Sequence, residues 1–208
     1  MRKYGIVLVM GLLFYSWAQW AQAHVPYLER YDFTEERPFV IDDVEQSIAV
    51  YSWLNSEEDL DFFQFNVSEP VRLFVEVILP VCPSYVNFRP WFAIIGPGLP
   101  PPLYDLPIDL PEGYGAVVMA DEDTGEPRER FYEPFGGKWY FQGPHFDEIV
   151  EAVGEWAVIY WDPTGHRGDY VAVIGIEERF EGQDILRALV NTTIIRQDGE
   201  LHVPCGPP

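Results

Sequence analysis

Hydrophobic and polar positions alternate most clearly over Val71 to Leu79, where Val71, Leu73, Val75, Val77 and Leu79 fall on one side of an extended chain and Arg72 and Glu76 on the other. That period of two predicts a strand with one face in a core. Similar reasoning predicts strands over 46–53 and 60–67, joined by the acidic turn Asn55-Ser56-Glu57-Glu58-Asp59 and expected to pair antiparallel. Trp91 to Gly96 is apolar enough for a buried strand, and Gly115 to Met119 for a short one. Gly154 to Trp161 and Asp169 to Gly175, separated by Asp162-Pro163-Thr164-Gly165-His166-Arg167-Gly168, predict a closing hairpin.

Between these segments the pattern breaks. Residues 97–115 carry Pro97, Pro100, Pro101, Pro102, Pro107 and Pro111, each without a backbone donor, and read as an ordered loop. Residues 126–147 read as a second irregular aromatic region, with a tight turn at Gly136-Gly137. Residues 24–46 form an extended acidic lead-in. A helical period appears at 182–193 alone, with Ile185, Leu186, Leu189 and Val190 as its apolar positions. The fold class expected is all-β: a jelly-roll-like antiparallel β-sandwich with long aromatic and Pro-rich loops and one short C-terminal helix.

Composition narrows the setting. The 208 residues hold 13 Lys plus Arg against 34 Asp plus Glu, a net charge of −21, which excludes phosphate-neutralising nucleic-acid binding and disfavours anionic membranes. Met1-Arg2-Lys3, the apolar run Gly5 to Tyr15 and the small-x-small site Ala21-Gln22-Ala23 predict a cleaved signal peptide over 1–23, leaving one domain over 24–208. The apolar run is shorter than a membrane span, so no transmembrane segment is expected after cleavage. The destination is the periplasm or the extracellular space. In that setting Cys82 and Cys205 are expected to form a disulfide tying the middle of the chain to its end.

Two segments together resemble the bacterial pre-peptidase C-terminal domain family. Its D-x-D-x-F-x-F element matches Asp59-Leu60-Asp61-Phe62-Phe63-Gln64-Phe65 ahead of the alternating strand, and its G-x-Y-x-V, turn, G-x-Y element matches Gly154-Glu155-Trp156-Ala157-Val158 and Gly168-Asp169-Tyr170, with Trp in place of the first Tyr. The resemblance covers about residues 45–80 and 150–176. It implies a sandwich, in some members calcium held by turn carboxylates, and no catalysis. Asp59, Asp61, Asp162 and Asp169 at predicted strand ends are the calcium candidates, with solvated turn residues as the alternative.

Cleavage after Ala23 exposes His24 as the mature terminus. A terminal amine and imidazole with a second His, from His145, His166 or His202, make the histidine brace that binds copper in lytic polysaccharide monooxygenases and related proteins; no further motif of theirs occurs here. The chain has no G-x-S-x-G elbow and no phosphate-cradling glycine pattern. Aromatic residues predicted in loops, among them Tyr104, Tyr114, Trp139 and Tyr140, suit either a stacking platform for protein or glycan partners or a minicore beneath the loops. Asn66-Val67-Ser68 and Asn191-Thr192-Thr193 match the glycosylation pattern. The function expected is a non-catalytic binding or structural module, calcium-stabilised in one version, with a copper protein using His24 as the alternative.

Overall fold

The computed structural model describes residues 24–203 and 205; the predicted signal peptide lies outside the described residues. Eleven strands and one helix follow in chain order: β1 (Val25–Leu28), β2 (Phe39–Val40), β3 (Ile48–Leu54), β4 (Asp61–Val67), β5 (Val71–Pro80), β6 (Trp91–Pro97), β7 (Tyr114–Met119), β8 (Arg130–Glu133), β9 (Lys138–Val150), β10 (Gly154–Trp161), β11 (Gly168–Ile174) and α1 (Gly182–Ile195). They form a β-sandwich. One sheet has the order β1-β3-β11-β5-β9-β8 and the other β2-β4-β10-β6-β7. Pairing is antiparallel except where the lead-in adds β1 parallel to β3 and β2 parallel to β4.

The alternating strand is β5, and Leu73, Val75, Val77 and Leu79 are fully buried as its pattern requires. Facing them across the sandwich are Phe63 and Phe65 of β4, Trp156, Val158 and Tyr160 of β10, and Phe92 and Ile94 of β6. Aromatic rings fill the gap where the two sheets meet. Phe63 lies 5.1 Å from Tyr160, and Tyr160 lies 5.0 Å from Tyr170, within the range where ring edges and faces attract. Gly96 is required by this packing, because a Cβ there would sit 2.2 Å from the Trp156 ring.

The seven strands read from the sequence are formed, while β1, β2, β8 and β9 were not expected as strands, and two expected pairings are not formed. The segments at 46–53 and 60–67 lie in different sheets as β3 and β4, and β10 and β11 likewise cross from one sheet to the other. Within its own sheet β10 sits between β4 and β6, and β11 between β3 and β5. The connection after Trp161 therefore spans the roughly 10 Å between layers instead of closing a hairpin. Residues 126–147, expected to be irregular, contain β8 and most of β9, joined through Gly136-Gly137 with Gly137 at φ 71°. Their aromatic and charged residues alternate on a sheet whose outer face is partly wet, which a search for apolar runs misses.

The Pro-rich loop is ordered as expected. Leu106, Ile108, Leu110 and Tyr114 pack over Phe62, Ile95, Ile159 and Trp161, so the loop roofs the outer face of the five-stranded sheet. Among the described residues no helix is long and apolar enough to cross a membrane.

The disulfide joins Cys82, buried just after β5, to Cys205 with the two Cα atoms 5.0 Å apart. It closes a loop of 123 residues. Replacing both cysteines by serine is predicted to remove about 4–5 kcal/mol of stability by restoring unfolded-chain entropy. A denaturant titration checks this, and an unchanged midpoint would show that the tie is redundant.

Candidate functional site

Parallel pairing of β1 with β3 sets Leu28 beside Tyr51, which carries Glu29 to the end of β3. There the Glu29 N–H donates to the Tyr51 carbonyl at 2.9 Å, and Glu29 Oε2 accepts the Trp53 N–H at 2.8 Å. Asp61, the first residue of β4, comes up from the opposite sheet. Asp32 follows in the lead-in. Ligand oxygens of Glu29, Asp32 and Asp61 all lie within 4.8 Å of one another.

Asp61 is the buried member. Its side chain has no exposure, and its Oδ2 accepts a hydrogen bond from Tyr170 Oη at 2.6 Å. Its Oδ1, equally buried, has no hydrogen-bond partner. A carboxylate oxygen left in that state costs on the order of 1–3 kcal/mol or more. Burial, and next the Glu29 carboxylate, push the Asp61 carboxyl well above its usual range. Glu29 is pushed up to about 8, first by burial and then by the Asp32, Asp59 and Asp169 carboxylates, against the opposing pull of the Trp53 N–H. Asp59 is raised for the same first reason, while its Oδ2 caps the Asn55 N–H at 2.5 Å. Asn55 Nδ2 also reaches Asp32 Oδ2 at 3.5 Å, which ties the β3–β4 turn to the lead-in. Four carboxylates thus crowd one end of the sandwich.

Of the four calcium candidates read from the sequence, the structure brings Asp61 into this cluster and sets Asp59 beside it. Asp162 and Asp169 are engaged elsewhere. Asp162 caps its own turn, accepting from the Thr164 N–H at 2.7 Å and the Arg89 N–H at 2.9 Å. Asp169 accepts from Tyr85 Oη and from the His202 N–H at 2.9 Å, pinning the C-terminal tail near the disulfide. Glu29 and Asp32 were missed by sequence reasoning. Their spacing in an acidic lead-in gave no signal, and only the pairing of β1 with β3 delivers them.

The histidines do not converge on His24. His24 Nδ1 lies 2.6 Å from Ser47 Oγ, and burial lowers the basicity of its imidazole. His145 is on β9, four strands from β1, which is about 19 Å at the usual strand spacing. His202 stacks on Trp53 at 4.0 Å, six residues along β3 from Ser47, or about 20 Å. His166 bonds Thr164 at that same far end. The copper brace therefore finds no second histidine among these three.

The aromatic candidates divide. Tyr140 is fully buried and offers no platform, whereas Tyr114 is half-buried on the outer face of the five-stranded sheet beside the Pro-rich loop. Tyr104 is 38% exposed but holds Glu122 at 3.2 Å and packs on Trp91. Trp139, 55% exposed, pairs edge-on with the exposed Tyr132 and is the accessible member. Asn191 is buried with its amide donating to the Pro26 carbonyl at 2.9 Å, which closes that glycosylation position. A cavity of about 400 Å³ lies on the outer face of the six-stranded sheet between His24, Tyr51, Phe74 and Phe131. Glu76, at its floor, is pushed up to about 7 by burial and accepts from Gln142.

No family model matches the chain, and no curated protein matches it. Among solved structures it is similar to PliG of Salmonella Typhimurium, a periplasmic lysozyme inhibitor of g-type lysozyme, at 12% identity and a TM-score of 0.37, over 67% of this chain and 98% of that one. PliG of Aeromonas hydrophila, also a periplasmic inhibitor of g-type lysozyme, is similar at 9% identity and a TM-score of 0.37, over 67% and 96%. At this level of likeness the functional reading rests on the geometry of the chain itself.

Proposed function

We propose that this chain is an exported, non-catalytic binding module whose sandwich is locked at one end by a calcium ion held by Glu29, Asp32 and Asp61. The observation that carries it is the fully buried Asp61 with Oδ1 unpartnered and two further carboxylates in reach. All donors in the cluster are hard oxygens, with no imidazole or thiolate among them, which suits calcium over zinc or copper. The ion would tie the lead-in just after β1 to the start of β4, two segments that chain order leaves apart. Export is supported by the signal-like residues 1–23 and by the Cys82–Cys205 disulfide, a bond that persists in oxidising compartments. The binding role is supported by apolar side chains that remain exposed on α1 and at Trp139. The resemblance to the pre-peptidase C-terminal family points the same way.

Two outcomes test the metal. Calcium at about 100 times its dissociation constant is expected to add about 2.7 kcal/mol, a rise of roughly 5–10 °C in melting temperature for a chain of this size. Asp61→Asn keeps an acceptor for Tyr170 and removes the buried charge, so it is expected to melt higher than the parent in chelator and to lose the calcium response. Asp162→Asn keeps the response. A parent chain whose melting is unmoved by calcium contradicts the proposal.

The second outcome concerns pH without metal. Glu29 holds a proton in the folded chain up to about 8, whereas its ordinary value is 4.5. The folded state thus binds the extra proton, its contribution is full below 4.5, and stability falls as pH rises through that window. Calorimetry in chelator is expected to show a fall between those values that Glu29→Gln flattens. An equal slope in the variant would show that Glu29 does not titrate there.

A further inference from the structure

The helix is amphipathic in the direction opposite to burial. Ile185, Leu186, Leu189 and Val190, the positions a core-facing helix would bury, are 52, 66, 65 and 59% exposed. The inward side is polar and pinned by specific bonds. Asp184 accepts from Gln46 Nε2 at 3.1 Å, Arg187 donates to Tyr27 Oη at 3.1 Å with its guanidinium 4.2 Å over that ring, and Asn191 holds the Pro26 carbonyl. Ile195 alone among the buried inward residues is apolar. The N-terminal end is also fixed, since Glu181 and Asp184 form a reciprocal capping box. α1 is thereby clamped along the edge strand β1 with a rigid apolar stripe turned to solvent.

A stripe of i, i+1, i+4 and i+5 residues over two turns is the pattern by which a helix enters a groove on a partner. Its surroundings select the partner. Glu177 and Glu181 flank its N-terminal end, Asp43 lies beyond them bound to Arg179, and Arg179 is itself shared with Glu177. Arg187 is taken up by Asp184 and Tyr27. Two copies meeting through this face would bring together two chains of net −21, so self-association is disfavoured. A basic surface gains from the same field.

We propose that the outward face of α1 docks a basic protein surface with an apolar groove at its centre. This deepens the binding-module reading and is independent of the calcium ion. Docking places Leu186 and Leu189 at the buried centre of the contact, with the acidic end of the helix steering approach.

A synthetic helical peptide of leucine and lysine heptads serves as a defined probe, titrated against the full disulfide-bonded chain by fluorescence anisotropy. Binding is expected to weaken about tenfold as salt rises from about 20 to 300 mM, through screening of the attraction. Leu186→Ser with Leu189→Ser, which leaves the charge unchanged and touches exposed positions, is expected to cost about 100-fold. Ile149→Ser, equally exposed on β9, is expected to leave binding intact. Equal binding by the double variant, or dimers of the parent chain in light scattering, overturns the proposal. A photoreactive residue placed at 186, 149 or 103 in the exported chain separates the two readings. An adduct to a basic protein at 186, lost at high salt, supports docking; adducts at 103 or 149 alone overturn the α1 surface while keeping the binding module; adducts nowhere overturn both.

Discussion

A buried carboxylate with half of its hydrogen-bonding capacity unmet is the constraint on which one end of this sandwich depends. Asp61 opens β4 beside Glu29 and Asp32 of the lead-in, and Tyr170 of β11 satisfies just one of its oxygens. The half-buried Glu29 and the exposed Asp32 make the situation worse for a bare protein, because they set like charge beside a carboxylate that is itself shut off from water. Protonation relieves the strain at low pH, and the proposed divalent cation would relieve it once the carboxyls are ionised. The same carboxylates that penalise the metal-free fold are the donors proposed for the ion.

The rest of the architecture is consistent with an element that must be stapled from outside. β1 and β2 are short strands added parallel to the edges of two antiparallel sheets, and a few residues of pairing hold each weakly. The proposed ion would anchor the lead-in between them at Glu29 and Asp32, α1 covers the open edge of β1, and the disulfide draws the C-terminal tail against Asp169. Each device compensates for a segment with little core of its own. The central strands β3, β5, β10 and β11 need none of this, since each is hydrogen-bonded to a strand on either side and buries a full face in the core.

Much of the fold was legible because strand identity is local. β5 declares itself by alternation, β6 and β10 by compact apolar runs, and the Pro-rich loop by its missing donors. Partner choice was not legible, because sheet membership depends on which face each strand buries against residues far away in sequence. β3 and β4, neighbours in the chain, part into opposite sheets for that reason. The site was half legible in the same sense: Asp59 and Asp61 stand in a recognisable element, but Glu29 and Asp32 arrive through a register that no short window contains. Asp162 and Asp169 looked alike in sequence and differ in use, one capping a turn and one anchoring the tail. The helix was legible from its period, whereas its orientation is set by polar pins at Asp184, Arg187 and Asn191 that decide which side faces inward.

The central claim is tested most directly by anomalous diffraction from crystals of the exported chain grown with calcium. The account predicts a single strong peak about 2.3–2.6 Å from oxygens of Glu29, Asp32 and Asp61, with Asp61 Oδ1 among them. A peak held by other residues, or a well-ordered Asp61 Oδ1 bonded to a water with no ion near it, would contradict it.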